Sequence, residues 1–240
     1  MYEVFMIIRF NDEEVFTTDS QEYEILLKAA SKLIGTSNYG AIVEIGTRRG
    51  GSMKMLVDQL SLDSSVPPQY RLFVSIDPYG NIPIECTNIN VTAQLPRVEV
   101  TGDKLSTEIT QPLRFDYNDE MRKRIIPSLY YYVLQRGFDF RYFQLTDSEF
   151  FKRYSDGIPV YNNKEEMVQK YAFVFFDGPH TTDKVVEEVE FFVPRTDLGS
   201  VFVMDDIWMY DHSKVEEILF DNGWEVLDKG TIKASYIKVG

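Results

Sequence analysis

Residues 41–52 read AIVEIGTRRGGS, and this stretch decides the predicted fold. Its first part is a continuous apolar run, which is typical of a strand buried on both faces of a sheet. A glycine-rich turn follows, and apolar residues then recur at helical spacing at Met53, Leu56, Val57 and Leu60. The stretch therefore predicts a buried strand, a loop and a helix, in that order.

The segments around this stretch continue the same alternation. RLFVSID, residues 71–77, predicts a second strand, so that residues 41–77 form one βαβ unit. Further strands are predicted in FDFRYFQL, YAFVFFDG and SVFVMDD, with a helix over about 182–193 between the last two. A helix upstream, over about 21–33, is predicted to lie on the sheet.

The end of the chain distinguishes between two kinds of α/β fold. After a helix through Val215, Ile218 and Leu219, the segments WEVLDKG and KASYIKVG predict a terminal hairpin. Dinucleotide-dependent dehydrogenases end instead with parallel strands. We therefore predict a Rossmann-like, doubly wound α/β sheet that is mostly parallel and carries a C-terminal antiparallel hairpin.

The length of 240 residues predicts one domain that spans residues 1–240. Residues 1–40 are interpreted as an N-terminal extension of one strand and one helix. Residues 79–136 have poor periodicity and several prolines. We interpret them as an insertion that forms a lid or binds substrate, with a helix in its last part.

Composition and charge restrict the function. The net charge of −13 repels phosphate backbones, which disfavours nucleic-acid partners and leaves a small-molecule substrate. No apolar stretch reaches the roughly 18 residues that a membrane span needs. Cys86 is the only cysteine and the start of the chain does not resemble a secretory signal, so we expect a cytoplasmic protein. The sequence leaves open whether identical subunits associate.

The glycine-rich loop after the first strand is the first candidate site. Gly46 permits a tight turn, Gly50 and Gly51 let a ligand approach the backbone, and free N–H groups at the start of the next helix favour an anionic group. Arg48 stands where the dinucleotide fingerprint has its middle glycine, which argues against a pyrophosphate. Such a loop also occurs for purely structural reasons.

Asp77 ends the second strand and is the next candidate. An acid at this point can accept hydrogen bonds from the ribose hydroxyls of an adenosine-containing cofactor. Its distance along the chain from the glycine loop is longer than usual, because a polar loop intervenes. An ordinary turn aspartate before Pro78 is the alternative interpretation.

Three acids follow two later strands, Asp177 after one and Asp205 and Asp206 after the other. The carboxyl ends of adjacent parallel strands form the ligand-binding edge of an open α/β sheet. Converging carboxylates repel each other unless a hard divalent cation such as Mg²⁺ relieves the repulsion, so the sequence predicts a metal site. The alternative is that these aspartates cap the helices that follow.

His180 lies three residues beyond Asp177 and can project towards the same edge. An imidazole there could take a proton from a substrate hydroxyl, which makes His180 and Asp177 the candidate catalytic residues. A surface histidine in a loop is the alternative.

Together these residues resemble catechol O-methyltransferase-like enzymes, and more closely the metal-dependent group of macrocin O-methyltransferase and cephalosporin-hydroxylase-like proteins. The resemblance rests on E-x-G-x-x-x-G-x-S at Glu44–Ser52, acid-Pro at Asp77, and D-x-x-H followed by an acid pair. It covers about residues 41–77 and 138–239 but not the predicted insertion. It implies a class I methyltransferase that uses S-adenosylmethionine (SAM).

The resemblance also implies roles for particular residues. The glycine loop would hold the methionine part of SAM, Asp77 the ribose, and the turn after the third strand the adenine. The predicted cofactor-binding residues are Glu44, Gly46, Thr47, Arg48, Gly50, Ser52, Asp77, Asp147 and Ser148. Mg²⁺ would lie on Asp177, Asp205 and Asp206. His180 departs from the pattern, because the catechol enzymes have a lysine base at this point.

The sequence thus favours SAM-dependent, divalent-metal-assisted O-methylation of a small hydroxylated substrate such as a sugar, a glycosylated metabolite or a phenol. Two alternatives stay open at this point. A nicotinamide-dependent oxidoreductase would use the same glycine loop and Asp77 but not the three acids. A non-catalytic domain could bind SAM or a partner.

Overall fold

The structure is a computed structural model, and it describes residues 16, 21–63, 71–80, 84–86, 99–101, 104–107, 118–162 and 164–240. Seven strands form the main sheet. Their bounds are β1 Ala41–Ile45, β2 Leu72–Ile76, β6 Asp139–Phe143, β9 Tyr171–Phe176, β10 Val201–Met204, β11 Trp224–Lys229 and β12 Ala234–Lys238. The N-terminal strand predicted within residues 1–40 lies outside the described residues.

The order of strands in this sheet is β11-β12-β10-β9-β1-β2-β6. Strands β6, β2, β1, β9 and β10 pair in parallel. The last strand, β12, inserts between β10 and β11 and pairs antiparallel with both. This topology confirms the predicted doubly wound sheet with a C-terminal antiparallel hairpin.

Within the described residues, six α-helices cover the two faces of the sheet. Their bounds are α1 Tyr23–Ser31, α2 Gly51–Ser61, α3 Asp119–Gln135, α4 Asp147–Arg153, α5 Thr182–Phe192 and α6 His212–Asp221. Helices α1, α2 and α3 pack on one face, and α4, α5 and α6 pack on the other.

Alternate residues along each strand pack on opposite faces of the sheet. In β1, Ile42 packs towards the first three helices and Val43 towards the last three; Phe173 and Val174 of β9 divide in the same way. Because both of their faces are buried, β1, β2, β9 and β10 are largely apolar, as the sequence suggested. Strand β6, at the edge of the sheet, is only partly buried.

Three smaller strands lie within the predicted insertion, β3 Ile84–Cys86, β4 Glu99–Thr101 and β5 Lys104–Thr107, and they form an antiparallel sheet of order β3-β5-β4. Helix α3 forms the last part of the segment and packs in the core, unlike a lid. Its Met121, Ile125 and Leu129 are buried in the core beside the main sheet. A hairpin of β7 Ile158–Asn162 and β8 Lys164–Val168 was not predicted.

No helix within the part of the chain that the structure describes is both long and apolar enough to cross a membrane.

Glu22 fixes the β11–β12 turn to the start of α1. Its carboxylate accepts hydrogen bonds from the backbone N–H groups of Thr231, Ile232 and Lys233, at 2.9–3.0 Å, and from the Thr231 hydroxyl at 2.8 Å. Partial burial raises the pKa of Glu22, but these donors outweigh it and lower the pKa from 4.5 to about 2. The contact therefore stabilises the fold only while Glu22 is ionised.

We expect this contribution to depend on pH. The pKa of Glu22 is lower in the folded chain than in the unfolded one, so the stabilisation is complete above about pH 4.5 and is lost as the pH falls towards 2. At pH 7, Glu22→Gln should lower the free energy of unfolding by roughly 1 kcal/mol, a value reduced by solvent screening. Urea unfolding at several pH values should show the difference from wild type shrinking below pH 4.5; a constant difference would contradict it.

Candidate active site

The loops that follow the parallel strands meet at one edge of the sheet. The Gly46 N–H donates to the Ile76 carbonyl at 2.9 Å, and the Asp177 N–H donates to the Ile45 carbonyl at 3.0 Å. The Asp205 N–H donates to the Phe176 carbonyl at 2.9 Å. These bonds bring the ends of β2, β1, β9 and β10 together at the position where open α/β sheets bind ligands.

The glycine loop is shaped by its left-handed residues. Gly46 has φ +87°, and a Cβ atom there would lie 2.0 Å from the Asp177 carbonyl oxygen, so only glycine fits. Gly50 has φ +71°, and a Cβ atom there would meet the Leu129 side chain of α3 at 2.9 Å. Gly50 therefore makes room for α3 on this side, in addition to the ligand role predicted for it.

Glu44 and Thr47 are buried polar residues at the end of β1 and in the glycine loop. Both side chains are buried, and Thr47 lies close enough to the Glu44 carboxyl to lower its pKa. Within the described residues no hydrogen bond of good geometry reaches Glu44 Oε2 or Thr47 Oγ1. Burial raises the pKa of Glu44 well above its usual value, and Asp77 raises it further. Buried acceptors without partners are rare in native structures, and a ligand with N–H or O–H donors would satisfy them.

Asp77 connects the glycine loop to the loop after β2. Its carboxylate accepts hydrogen bonds from the backbone N–H groups of Arg48 at 2.9 Å and Tyr79 at 2.7 Å. The Tyr79 hydroxyl donates to the Arg48 carbonyl, and the Tyr142 hydroxyl donates to the Asp77 carbonyl. Asp77 is fully buried, and its hydrogen bonds position the loop. Ribose binding by Asp77 stays a prediction.

The turn after β6 is held by a capping box. The Thr146 side chain accepts from the Glu149 N–H, and the Glu149 carboxylate accepts from the Thr146 N–H. Asp147 follows, and within the described chain its buried Oδ2 has no hydrogen-bond partner. Ser148 instead bonds to α5, where its hydroxyl accepts from Lys184 Nζ at 2.6 Å and donates to Glu187 at 2.9 Å.

Glu188 is a site residue that the sequence motifs do not single out, and it lies on α5 close enough to Asp147 for the two charges to interact. Its side chain is fully buried, and neither carboxylate oxygen has a hydrogen-bond partner among the described residues. Burial raises its pKa well above the usual value, and Asp147 adds to this. The signal was present, because Glu188 interrupts the apolar face formed by Val185, Val189 and Phe192.

The three acids predicted to bind Mg²⁺ have different surroundings. Asp205 Oδ1 accepts from the Asp206 N–H at 2.9 Å and from Lys233 Nζ at 2.7 Å. Asp206 Oδ1 accepts from the Trp208 indole at 3.2 Å. Burial and then Asp205 raise the pKa of Asp177, whereas Lys233 lowers it. The cationic partner of this cluster in the structure is therefore a lysine.

These residues do not fit a magnesium site of three carboxylates. The part of the chain that the structure describes contains no group of three His, Cys, Asp or Glu side chains placed to hold a metal ion. The physical reason is that Asp205 is paired with a buried ammonium group and Asp206 with an indole N–H. Lys233 was not predicted, because it comes from the turn before the last strand, far along the chain.

His180 lies at the same edge. Its Nε2 is 3.7 Å from Asp206 Oδ2, and the imidazole is buried. Burial lowers the pKa of His180 below its usual value, while Asp206 and Asp205 oppose this shift. The arrangement provides a base next to a carboxylate that can stabilise the imidazolium.

Known structures share this fold. The O-methyltransferase NovP is 15% identical, with a TM-score of 0.53 over 90% of this chain and 79% of that chain. CalS11, a calicheamicin methyltransferase, is 16% identical, with a TM-score of 0.52 over the same shares. An O-methyltransferase from Bacillus cereus in complex with S-adenosylhomocysteine (SAH) is 12% identical, with a TM-score of 0.50 over 95% and 86%.

The chain therefore has the fold of class I methyltransferases. No known protein family profile and no curated protein sequence matches it. At these identities the likeness shows the fold alone, and the chemistry rests on the residues of the site.

Proposed function

We propose that this chain is a SAM-dependent methyltransferase that transfers a methyl group to a hydroxyl oxygen of a small molecule. The observation that carries the proposal is a buried pair of polar side chains at the end of β1, Glu44 and Thr47, whose Oε2 and Oγ1 atoms make no hydrogen bond of good geometry within the described chain. The amino group of the SAM methionine part is a donor of the kind these atoms lack. The O-methyltransferases with this fold, one of them in complex with SAH, support the same choice.

The other predicted cofactor residues extend this site along the sheet edge. Asp77 follows the strand next to β1, which suits the ribose, and Asp147 follows the strand after that, which suits the adenine. The unpartnered Asp147 Oδ2 could accept from the adenine amino group, since within the described chain it has no other donor. The cofactor would then lie across the ends of β1, β2 and β6.

The reaction follows from the residues at the ends of β9 and β10. Asp177, which is only partly buried, would hydrogen-bond the acceptor hydroxyl. His180 Nε2 would take the hydroxyl proton as the oxygen attacks the sulfonium methyl carbon in line. The new C–O bond forms as the C–S bond breaks, which leaves SAH and an imidazolium beside Asp206. Alignment of the two reactants supplies most of the rate gain, and no step here uses a metal.

The acceptor is proposed as a small hydroxylated molecule, such as a sugar or a phenol. The net charge of −13 disfavours nucleic acid. Glycosylated metabolites, which the resemblance to macrocin O-methyltransferase suggests, are the first class to test.

We predict that His180→Ala lowers kcat about 100-fold and leaves SAH affinity unchanged, because the base acts only on the acceptor proton. The measurement is methyl transfer from labelled SAM to a panel of nucleotide sugars, glycosides and catechols, with product mass as the readout. His212→Gln is the control. That histidine bonds to Tyr236 at 2.6 Å and has no part in the proposed reaction, so its loss should leave kcat unchanged. Equal rates for His180→Ala and wild type would remove His180 from the mechanism.

A further inference from the structure

Lys233 is a buried lysine that the mechanism above does not use. Its side chain is 0% exposed, and its Nζ lies 2.7 Å from Asp205 Oδ1. The ammonium group is also 5.5 Å from the centre of the Phe175 ring and 5.6 Å from that of Tyr23. Lysine is almost never fully buried unless it is paired, so the pairing with Asp205 is what permits this position.

The Lys233 ammonium group lies close to the acids for which the sequence predicts a divalent cation. Asp177 and Asp205 follow paired strand residues, Phe176 and Met204, so they stand at the same level of the sheet. Because Phe176 and Met204 face the other side, strand alternation assigns both acids to the side covered by α1, α2 and α3. Phe175, which contacts Lys233, belongs to that same face. Lys233 thus places its charge beside the two acids.

The backbone around Lys233 is fixed from two sides. Its own N–H donates to Glu22 at 2.9 Å, and the Ile207 N–H donates to the Ile232 carbonyl at 3.0 Å. The Gly230 N–H closes the turn by donating to the Lys233 carbonyl at 2.8 Å. With the backbone held and the side chain buried, the ammonium group cannot move aside without loss of packing.

A divalent cation would compete with this ammonium group. Asp205 Oδ1 already accepts two hydrogen bonds, and a second positive charge within about 4 Å of Lys233 Nζ would be repelled. Removal of the ammonium group would instead leave buried, uncompensated carboxylates, which favour a hard cation.

We propose that the ammonium group of Lys233 takes the place of a divalent cation at this sheet edge, holding Asp205 and neutralising its charge, so that the chain binds SAM and transfers methyl groups without a metal ion. Lys233 acts through Asp205 and is a positioning residue. The part of the proposal that concerns catalysis rests on the proposed function, whereas the part that concerns cation binding does not.

The test begins with the wild-type chain after treatment with EDTA. Titration with Mn²⁺, followed by electron paramagnetic resonance of the free ion, should show no site at millimolar concentrations. SAH affinity and the rate of methyl transfer should be the same with and without EDTA. A single tight Mn²⁺ site, or a rate that EDTA abolishes and Mn²⁺ restores, would overturn the proposal. Absence of SAH binding would instead reject the proposed function. The Mn²⁺ titration would still test whether the Lys233 ammonium group replaces a divalent cation.

Lys233→Ala should create a cation site. We expect this variant to bind Mn²⁺ roughly tenfold or more tightly than wild type, because the competing charge is gone. Lys229→Ala is the matched control: Lys229 lies on the same hairpin, is partly exposed and bonds to Glu216, and its removal should have no effect. A folded Lys233→Ala chain that binds Mn²⁺ no better than wild type would contradict the proposal. Should that variant not fold, the wild-type titration decides alone.

Discussion

Gly46→Ala is expected to destabilise the fold by about 3 kcal/mol or more and to abolish SAH binding. The new Cβ atom would lie 2.0 Å from the Asp177 carbonyl oxygen, which belongs to the backbone and cannot rotate away. The left-handed φ of +87° adds roughly 1–2 kcal/mol of strain for a residue with a side chain. Relief of the clash would separate the loops after β1 and β9, which together form the proposed site.

Gly199→Ala separates these two effects. Gly199 has a similar φ of +78°, but no atom lies within 4 Å of the position of its Cβ. Its replacement should cost only about 1 kcal/mol and leave SAH affinity unchanged. Urea unfolding of both variants, with calorimetric titration of SAH, provides the comparison. Equal losses of stability would show that strain alone acts at Gly46 and that the close approach of the two loops is unimportant.

Arg71→Met is expected to lower the free energy of unfolding by about 3–5 kcal/mol. Arg71 lies just before β2 and bonds to Asp63 at 2.7 Å, and both side chains are only 2% exposed. Asp63 also accepts from the Gly35 N–H, and Arg71 contacts the Leu33 carbonyl. The pair thus joins the ends of α1 and α2 to the start of β2. Methionine would leave the Asp63 charge buried without its partner.

Two further variants test whether burial is the cause. Arg71→Met combined with Asp63→Asn removes both charges and should recover part of the lost stability. Lys123→Met removes an exposed lysine that pairs with Asp119 and Glu120 on α3, and it should leave the free energy of unfolding almost unchanged. Urea unfolding measures all three. A loss below 1 kcal/mol for Arg71→Met would mean that solvent reaches Asp63.

The main sheet could be predicted from the sequence because its strands are buried on both faces. AIVEI in β1, LFVSI in β2 and YAFVFF in β9 are apolar runs that end at a glycine or an acid, and these runs appear as parallel strands. The terminal hairpin was also visible, from its turn residues and alternation. What the hairpin pattern could not give was the insertion of β12 between β10 and β11, since pairing partners distant in sequence leave no local signal.

The polar residues of the site were harder to predict. Their positions at strand ends followed from topology, but their partners did not. Lys233 reaches Asp205 from a turn 28 residues further along the chain. A carboxylate cluster with an internal ammonium group has the same local sequence as one that binds a metal. The distinction needs a tertiary contact, and for that reason the sequence predicted magnesium.

The position of helix α3 in the core could not be predicted from the sequence, for a different reason. Its polar start and Pro127 weaken the helical pattern, so residues 119–135 were assigned to an insertion. The structure packs Ile125 and Leu129 against Gly50 and the sheet. Tertiary burial of one face outweighs the weak local propensity.

Calorimetric titration of the wild-type chain and of Glu44→Gln with SAH and with NAD tests most directly whether the loop after β1 binds SAM. Glu24→Gln, which changes an exposed glutamate on α1, is the matched control. We expect wild type and Glu24→Gln to bind one SAH and no NAD, and Glu44→Gln to bind SAH about tenfold more weakly. Binding of NAD without SAH, or the same SAH affinity in all three chains, would contradict it.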